Sequence, residues 1–197
     1  MTGPGLAPGS SPGRPLEAVL LDKSVRRGDF VLASGARSSY YIDCRLTTMS
    51  AEGMVLVGRL GLEAIRGAGW SPDAIGGLTM GADPVAYAIA AASWANGPAV
   101  DAFSVRKEAK GHGTRRQIEG NFREGAGVVV IEDVITSGGS ALKAIEAVRG
   151  AGGRVLGVLA VVDREQGGRD AIEGAGHMVV ALTTSTALGL NDEPGPS

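Results

Sequence analysis

The stretch Val128–Ser140, VVVIEDVITSGGS, decides how this chain folds and where its chemistry lies. Val128-Val129-Val130-Ile131 is an apolar run with no polar alternation, the pattern of a strand covered on both faces in a parallel sheet. Two adjacent carboxylates follow, Glu132 and Asp133, then Val134, Ile135 and a turn, Thr136-Ser137-Gly138-Gly139-Ser140, that opens a helix. In an open parallel sheet ligands bind at the carboxyl ends of the strands, which is where these acids sit. The turn presents hydroxyls and closely approachable backbone N–H groups at the positive end of a helix dipole, a cradle for phosphate. Acids facing such a cradle suit a sugar phosphate, because they accept hydrogen bonds from vicinal ribose hydroxyls while the turn holds the 5′-phosphate. The plainer reading is an acidic strand end followed by a capping Ser/Thr turn. A P-loop is excluded, since GxxxxGK[ST] and its lysine are absent.

Outward from this motif, short apolar runs alternate with helical stretches. Strands are predicted near Ala74–Leu78, Val100–Val105, Val155–Val162 and His177–Leu182, and helices at about Pro84–Trp94, Ser140–Arg149 and Arg169–Gly174. Leu16, Val19, Leu20 and Val25 fit a short amphipathic helix; Met54, Val55, Leu60, Leu62 and Ile65 fit a second, ended by Gly67 and Gly69. This alternation predicts an α/β fold with a mainly parallel central sheet flanked by helices. One segment breaks the rhythm. Arg106–Arg123 is dense in charge and glycine and long for a connection inside a compact domain, as functional lids are. Eight of the first 15 residues are Gly or Pro, so residues 1–15 read as a disordered extension and residues 191–197 as a frayed tail, leaving a single domain over 16–190.

Composition removes other classes of answer. A chain of 197 residues is one domain of ordinary size. Nineteen Lys+Arg against 21 Asp+Glu give a formal charge of −2, with no global positive field for nucleic acid or anionic membrane. One cysteine makes no intramolecular disulfide, no apolar run approaches the ~20 residues of a membrane span, and the N-terminus lacks the features of a secretory signal, so a reduced cytoplasm is expected. Glycine, at 32 residues beside 4% aromatics, points to tight turns and small side chains.

IEDVITSGGS resembles the phosphoribosyl-diphosphate (PRPP) signature of the type I phosphoribosyltransferases, and the resemblance extends over about Leu16 to Leu190. It implies the fold of that family, with a small hood built from the N- and C-terminal segments, and transfer of ribose 5-phosphate from PRPP to a nitrogenous base with Mg²⁺ carried by PRPP rather than by a protein metal site. It also implies that residues 132–140 bind PRPP, with Asp133 catalytic. Val105–Gly113, VRKEAKGHG, resembles the mobile catalytic loop of the orotate branch, R-K-x-x-K-x-H-G. The likeness assigns Arg106, Lys107, Lys110 and His112 to the diphosphate, Lys110 and His112 as catalytic, and implies a homodimer in which the loop, about 106–123, reaches the neighbouring subunit's site. Cations delivered by a closing lid stabilise charge on the departing diphosphate and exclude water. Ser34–Arg45, SGARSSYYIDCR, resembles the branch's orotate-binding stretch, with Tyr40 and Tyr41 covering the ring. VVDREQGG, residues 161–168, resembles its D-R-x-x-G, with Arg164 meeting orotate at its carboxylate and Thr136 also touching the base.

Two departures stand out. Ala33 and Met80 occupy positions where family members often carry lysine, so the basic lid is expected to carry more of the charge and Lys110 to matter unusually. Two alternatives stay open at this point: a phosphoribosyltransferase for a purine or other base, and a non-catalytic regulator that senses PRPP on the same fold.

Overall fold

The computed structural model describes residues 14–31, 37–108 and 117–190. The chain runs α1 (Leu16–Lys23), β1 (Val25–Val31), β2 (Arg37–Ile42), α2 (Arg45–Thr48), α3 (Ala51–Gly67), β3 (Ala74–Leu78), α4 (Ala82–Asn96), β4 (Asp101–Val105), β5 (Ile118–Gly120), β6 (Gly127–Ile135), α5 (Gly139–Gly150), β7 (Arg154–Asp163), α6 (Gly168–Gly174) and β8 (Val179–Thr184). Six strands form one sheet in the order β5-β4-β3-β6-β7-β8, parallel except for the β4–β5 pair, and β1 and β2 form a separate antiparallel hairpin. The predicted α/β architecture with a mainly parallel sheet is the one observed.

Two cores lie on the two faces of the sheet. Ile75, Val129, Ile131, Leu159 and Val161 point to α3 and α4, while Val128, Val130, Val158 and Ala160 join Ala141, Ala144, Ile145 and Val148 of α5. Burial on both faces is why these strands read as unbroken apolar runs. The strand order makes the site. From β3 the chain moves outward to β4 and then returns to β6 on the other side of β3, so a crevice opens between the carboxyl ends of β3 and β6.

Many of the glycines serve close packing rather than turns. α3 starts at Ser50, whose Oγ accepts from Gly53 N–H at 3.1 Å. Its interior Gly58 and Gly61 lie against α4, where a Cβ at Gly58 would stand 2.5 Å from the Ala88 carbonyl oxygen. Helix propensity alone opposes these glycines by about 1 kcal/mol each, so helix contact selects them. Gly58→Ala is expected to lower stability by about 1–3 kcal/mol and the melting temperature by roughly 2–4 °C per kcal/mol, read by calorimetry. An unchanged melting temperature would contradict this packing argument.

Three boundaries differ from the sequence expectation. Val25, placed on the first helix, opens β1, because Ser24 ends α1. Arg14 and Pro15, placed in the extension, belong to the fold: Pro15 precedes α1, and Arg14 is paired with Asp22 and Glu52, each at 3.0 Å. The segment read as one loop over 106–123 contains β5, with Ile118 paired to Val105 and Gly120 to Phe103. Residues 1–13 and 191–197 lie outside the described residues.

Candidate active site

β6 continues as a strand through both acids to Ile135, paired with β7 (Glu132 with Ala160, Ile135 with Asp163). Glu132 is buried. Its carboxyl is held well above the usual carboxylate range, first by burial, then by the negative charge of Asp133 and a hydrogen bond between the two side chains. Burial thus disfavours charge on Glu132, while the less buried Asp133 is the acid that faces the crevice. Asp133 is half-buried, and its Oδ1 accepts from Val134 N–H at 3.0 Å.

Across the crevice stands the turn after β3, Thr79-Met80-Gly81, with a cis peptide between Thr79 and Met80. A Cβ at Gly81 would fall on the Asp133 carboxylate, so glycine lets the acid lie directly against the turn. Met80, at the position of an expected lysine, is 57% exposed. Ala33 lies outside the described residues.

The turn after β6 leads directly into α5. Gly138 precedes α5 with φ 79°, a left-handed conformation that favours glycine, and a Cβ there would lie 2.7 Å from the Gly168 carbonyl. Ser137 and Ser140 are exposed and Thr136 and Gly139 partly so, presenting their polar groups at the start of a 12-residue helix. Ile135 is 1% exposed and its carbonyl accepts from Arg164 N–H at 2.9 Å, so its side chain reaches no ligand. Val134 is partly exposed.

That hydrogen bond places Arg164 beside the cradle. Asp163, buried, accepts from Glu165 N–H and from Arg169 Nε, both at 2.8 Å, and so orders the turn that carries Arg164. The Arg164 guanidinium lies 4.6 Å from the centre of the Tyr40 ring and donates to Ser38 Oγ at 3.1 Å. Tyr40 in turn donates to Ser185 Oγ at 3.1 Å. Tyr40 is buried and Tyr41 is 42% exposed, its ring 5.8 Å from that of Phe30. The expectation that both tyrosines cover one ring is corrected by the geometry of the strand. Successive side chains of β2 point to opposite faces, so within one chain Tyr40 backs Arg164 and Tyr41 faces away.

The lid residues are divided. Lys110 and His112 lie outside the described residues. Arg106 is paired through Nε with Glu119 Oε1 at 3.1 Å, an exposed and readily exchanged ion pair. Lys107 lines a groove of 820 Å³ between β5 and α5 that includes no residue of the cradle or the acid pair. The structure thus unites residues 132–140, Arg164 and Tyr40, while Arg106 is engaged with Glu119 and Lys107 lines the groove between β5 and α5.

Some neighbours of the site carried no assigned role in the motifs. Asp43 and Arg45 form a two-point pair, Nε to Oδ1 at 2.8 Å and NH2 to Oδ2 at 2.9 Å, which holds the Asp43 carboxyl below its usual range and sets a cation within electrostatic reach of Asp133. The Cys44 thiol between them is buried and pushed well up, first by that burial and then by Asp133 and Asp43. Among the described residues no group of three or more His, Cys, Asp or Glu could hold a metal ion.

Known proteins agree with this geometry. The phosphoribosyl transferase domain family matches residues 51–178. An orotate phosphoribosyltransferase of Rhodopirellula baltica is 43% identical over 180 residues, 89% of this chain and 93% of the relative. One of Aquifex aeolicus is 52% identical over 153 residues, 78% of this chain and 82% of the relative. The crystal structure of Mycobacterium tuberculosis orotate phosphoribosyltransferase in complex with PRPP superposes with a TM-score of 0.75 at 41% identity, covering 89% of this chain and 97% of that one. With the cradle, the facing acids and the buried arginine in place, the chain belongs to the orotate phosphoribosyltransferase family.

Proposed function

We propose that the protein transfers the 5-phosphoribosyl group of PRPP to orotate, giving orotidine 5′-phosphate and diphosphate in pyrimidine biosynthesis. The observation that carries this reading is the meeting, at neighbouring strand ends, of an anion cradle faced by carboxylates with a guanidinium backed by an aromatic ring. A cradle with acids suits any phosphoribosyl donor. Arg164 narrows the acceptor, because a planar guanidinium fork suits a ring that bears a carboxylate, whose charge it matches as no uncharged purine does.

In the mechanism we propose, residues 136–140 hold the 5′-phosphate and Asp133, supported by Glu132, accepts from the ribose hydroxyls, while Thr136, Arg164 and the Tyr40 side of β2 hold orotate. Positioning is most of the catalysis. The bond from C1′ to the diphosphate oxygen breaks with its electron pair leaving on diphosphate, and the orotate ring nitrogen bonds to C1′ from the opposite face as its N–H proton passes to water. Carboxylates beside the ribose favour the positive charge that builds on the ring, and Lys110 and His112 with Arg106 and Lys107 stabilise the leaving group. Mg²⁺ would fit this site as an ion carried by the substrate, with the half-buried Asp133 carboxylate facing the turn as the one protein group that could help to hold it. When bound, it neutralises charge on the diphosphate.

We further propose a homodimer in which the segment after Arg106 serves the neighbouring site. The separation of Arg106 and Lys107 from their own cradle supports this, as does an apolar face on α3 and α4 where Val55 is 72% and Trp94 83% exposed. Among the described residues no helix is long and apolar enough to cross a membrane, and a reduced cytoplasm suits a chain with one buried thiol.

Incubation with Mg²⁺, PRPP and orotate is expected to deplete orotate's ultraviolet absorbance at a rate proportional to enzyme. Turnover of adenine, hypoxanthine or uracil with no change in orotate would defeat the assignment of the base.

A further inference from the structure

We infer that Asp83 is a positioning residue that locks the turn after β3 to the root of the basic segment, through the hydroxyls of Ser104 and Tyr87. The inference rests on the proposed function and takes this turn, which lies directly against the Asp133 carboxylate, as part of the PRPP site.

The two flanks of the turn are tied to adjacent residues of β4. On the near side, Thr79 N–H donates to the Val105 carbonyl at 2.8 Å. On the far side, the Asp83 carboxylate accepts from Ser104 Oγ at 2.6 Å, a length typical of a hydroxyl bound to a charged oxygen. Tyr87, one helical turn further along α4, brings its hydroxyl within 3.0 Å of the same Ser104 Oγ. A serine hydroxyl has a single proton, and the short contact with Asp83 claims it, so Tyr87 is the donor to Ser104. The chain therefore runs one way, from Tyr87 through Ser104 to Asp83, and clamps β4 between two residues on one face of α4.

Asp83 is only half-buried and caps nothing: α4 has no side-chain cap bond at its N-terminus. Burial pushes its carboxyl up, and the Ser104 hydrogen bond offsets part of that rise. The next residue of β4 beyond Val105 is Arg106, whose N–H donates to the Gln117 carbonyl at 2.9 Å while Gln117 Nε2 donates back to the Arg106 carbonyl at 3.2 Å. Ser104, Val105 and Arg106 thus hold the turn and the root of the basic segment as one body. The orotate end is separate, carried by β7, two strands beyond β3 in the sheet.

Loss of the Asp83 link should therefore weaken PRPP handling and spare orotate. The test compares Asp83→Ala, Asp83→Asn and Ser104→Ala in steady-state assays with both substrates, with PRPP affinity also read by titration calorimetry and folding by thermal melts. Asp83→Ala and Ser104→Ala are each expected to raise KM for PRPP and its calorimetric Kd about tenfold, the loss of one charge-assisted hydrogen bond, with KM for orotate within about twofold of wild type. Asp83→Asn, whose amide oxygen still accepts from Ser104, should recover most of the loss. A PRPP affinity within twofold of wild type in a folded Asp83→Ala or Ser104→Ala protein would overturn the inference. So would parallel rises in both KM values, or an Asp83→Asn protein as impaired as Asp83→Ala. Calorimetry keeps this outcome separate from the choice of base, since it reports on PRPP whether or not orotate is the acceptor.

Discussion

Asp133→Asn is expected to lower kcat/KM for PRPP about 100-fold, whereas Glu132→Gln, one residue earlier, lowers it by less than about tenfold. Adjacent acids in a shared motif invite the assumption that both act as carboxylates. Their surroundings differ. Burial, the neighbouring charge and the hydrogen bond between the two side chains all push Glu132 toward its neutral form, which an amide imitates in shape and in donor capacity. Asp133 is the acid that lies against Gly81 and faces the crevice, the position from which the proposed mechanism has it accept from ribose hydroxyls. Losing a charged acceptor of two hydroxyls costs about 3 kcal/mol, hence the 100-fold figure. Steady-state kinetics on the two variants checks this directly, and equal losses would show that both acids act charged.

The second large effect is expected at Arg164. Arg164→Lys should raise KM for orotate about 30-fold or more while KM for PRPP stays within a few-fold, because an ammonium offers a point charge where the fork offers two parallel N–H groups. The ring of Tyr40 lies under the guanidinium and Ser38 Oγ accepts from it, a support shaped for a flat group. Tyr40→Leu should therefore weaken orotate in the same direction as Arg164→Lys, even though Tyr40 backs the arginine instead of covering the base. An orotate KM unchanged in Arg164→Lys would remove Arg164 from the acceptor site.

The central strands were legible from sequence because burial on both faces imposes unbroken apolar runs: β3 and β7 fall within one residue of their predicted bounds. The hairpin was not. β1, VRRGDFV, is mostly exposed, so it carries neither alternation nor an apolar run, and only pairing with β2 makes it a strand. β5 was hidden for a similar reason, since three residues inside a charged stretch become a strand only by joining β4. In the site, the cradle was readable because its parts are contiguous. The opposed faces of Tyr40 and Tyr41 were implicit in the period of two along a strand. The Asp83–Ser104–Tyr87 chain was not readable: Asp83 and Tyr87 have helical spacing, but Ser104 lies on another element, and only the parallel β3–β4 pairing brings it there.

The paired backbone at Arg106 and Gln117 makes residues 107–116 a closed tether that leaves the sheet and returns to it at one point. A chain of ten residues that must come back spends half its length on the return, so at ~3.4 Å per extended residue no Cα in it travels more than about 17 Å from that point. A diphosphate served by this segment, as proposed above, would lie inside that radius, extended only by the length of a side chain, whichever subunit holds it. The tether thereby sets a maximum distance at which two copies of the protein can be arranged and still share chemistry.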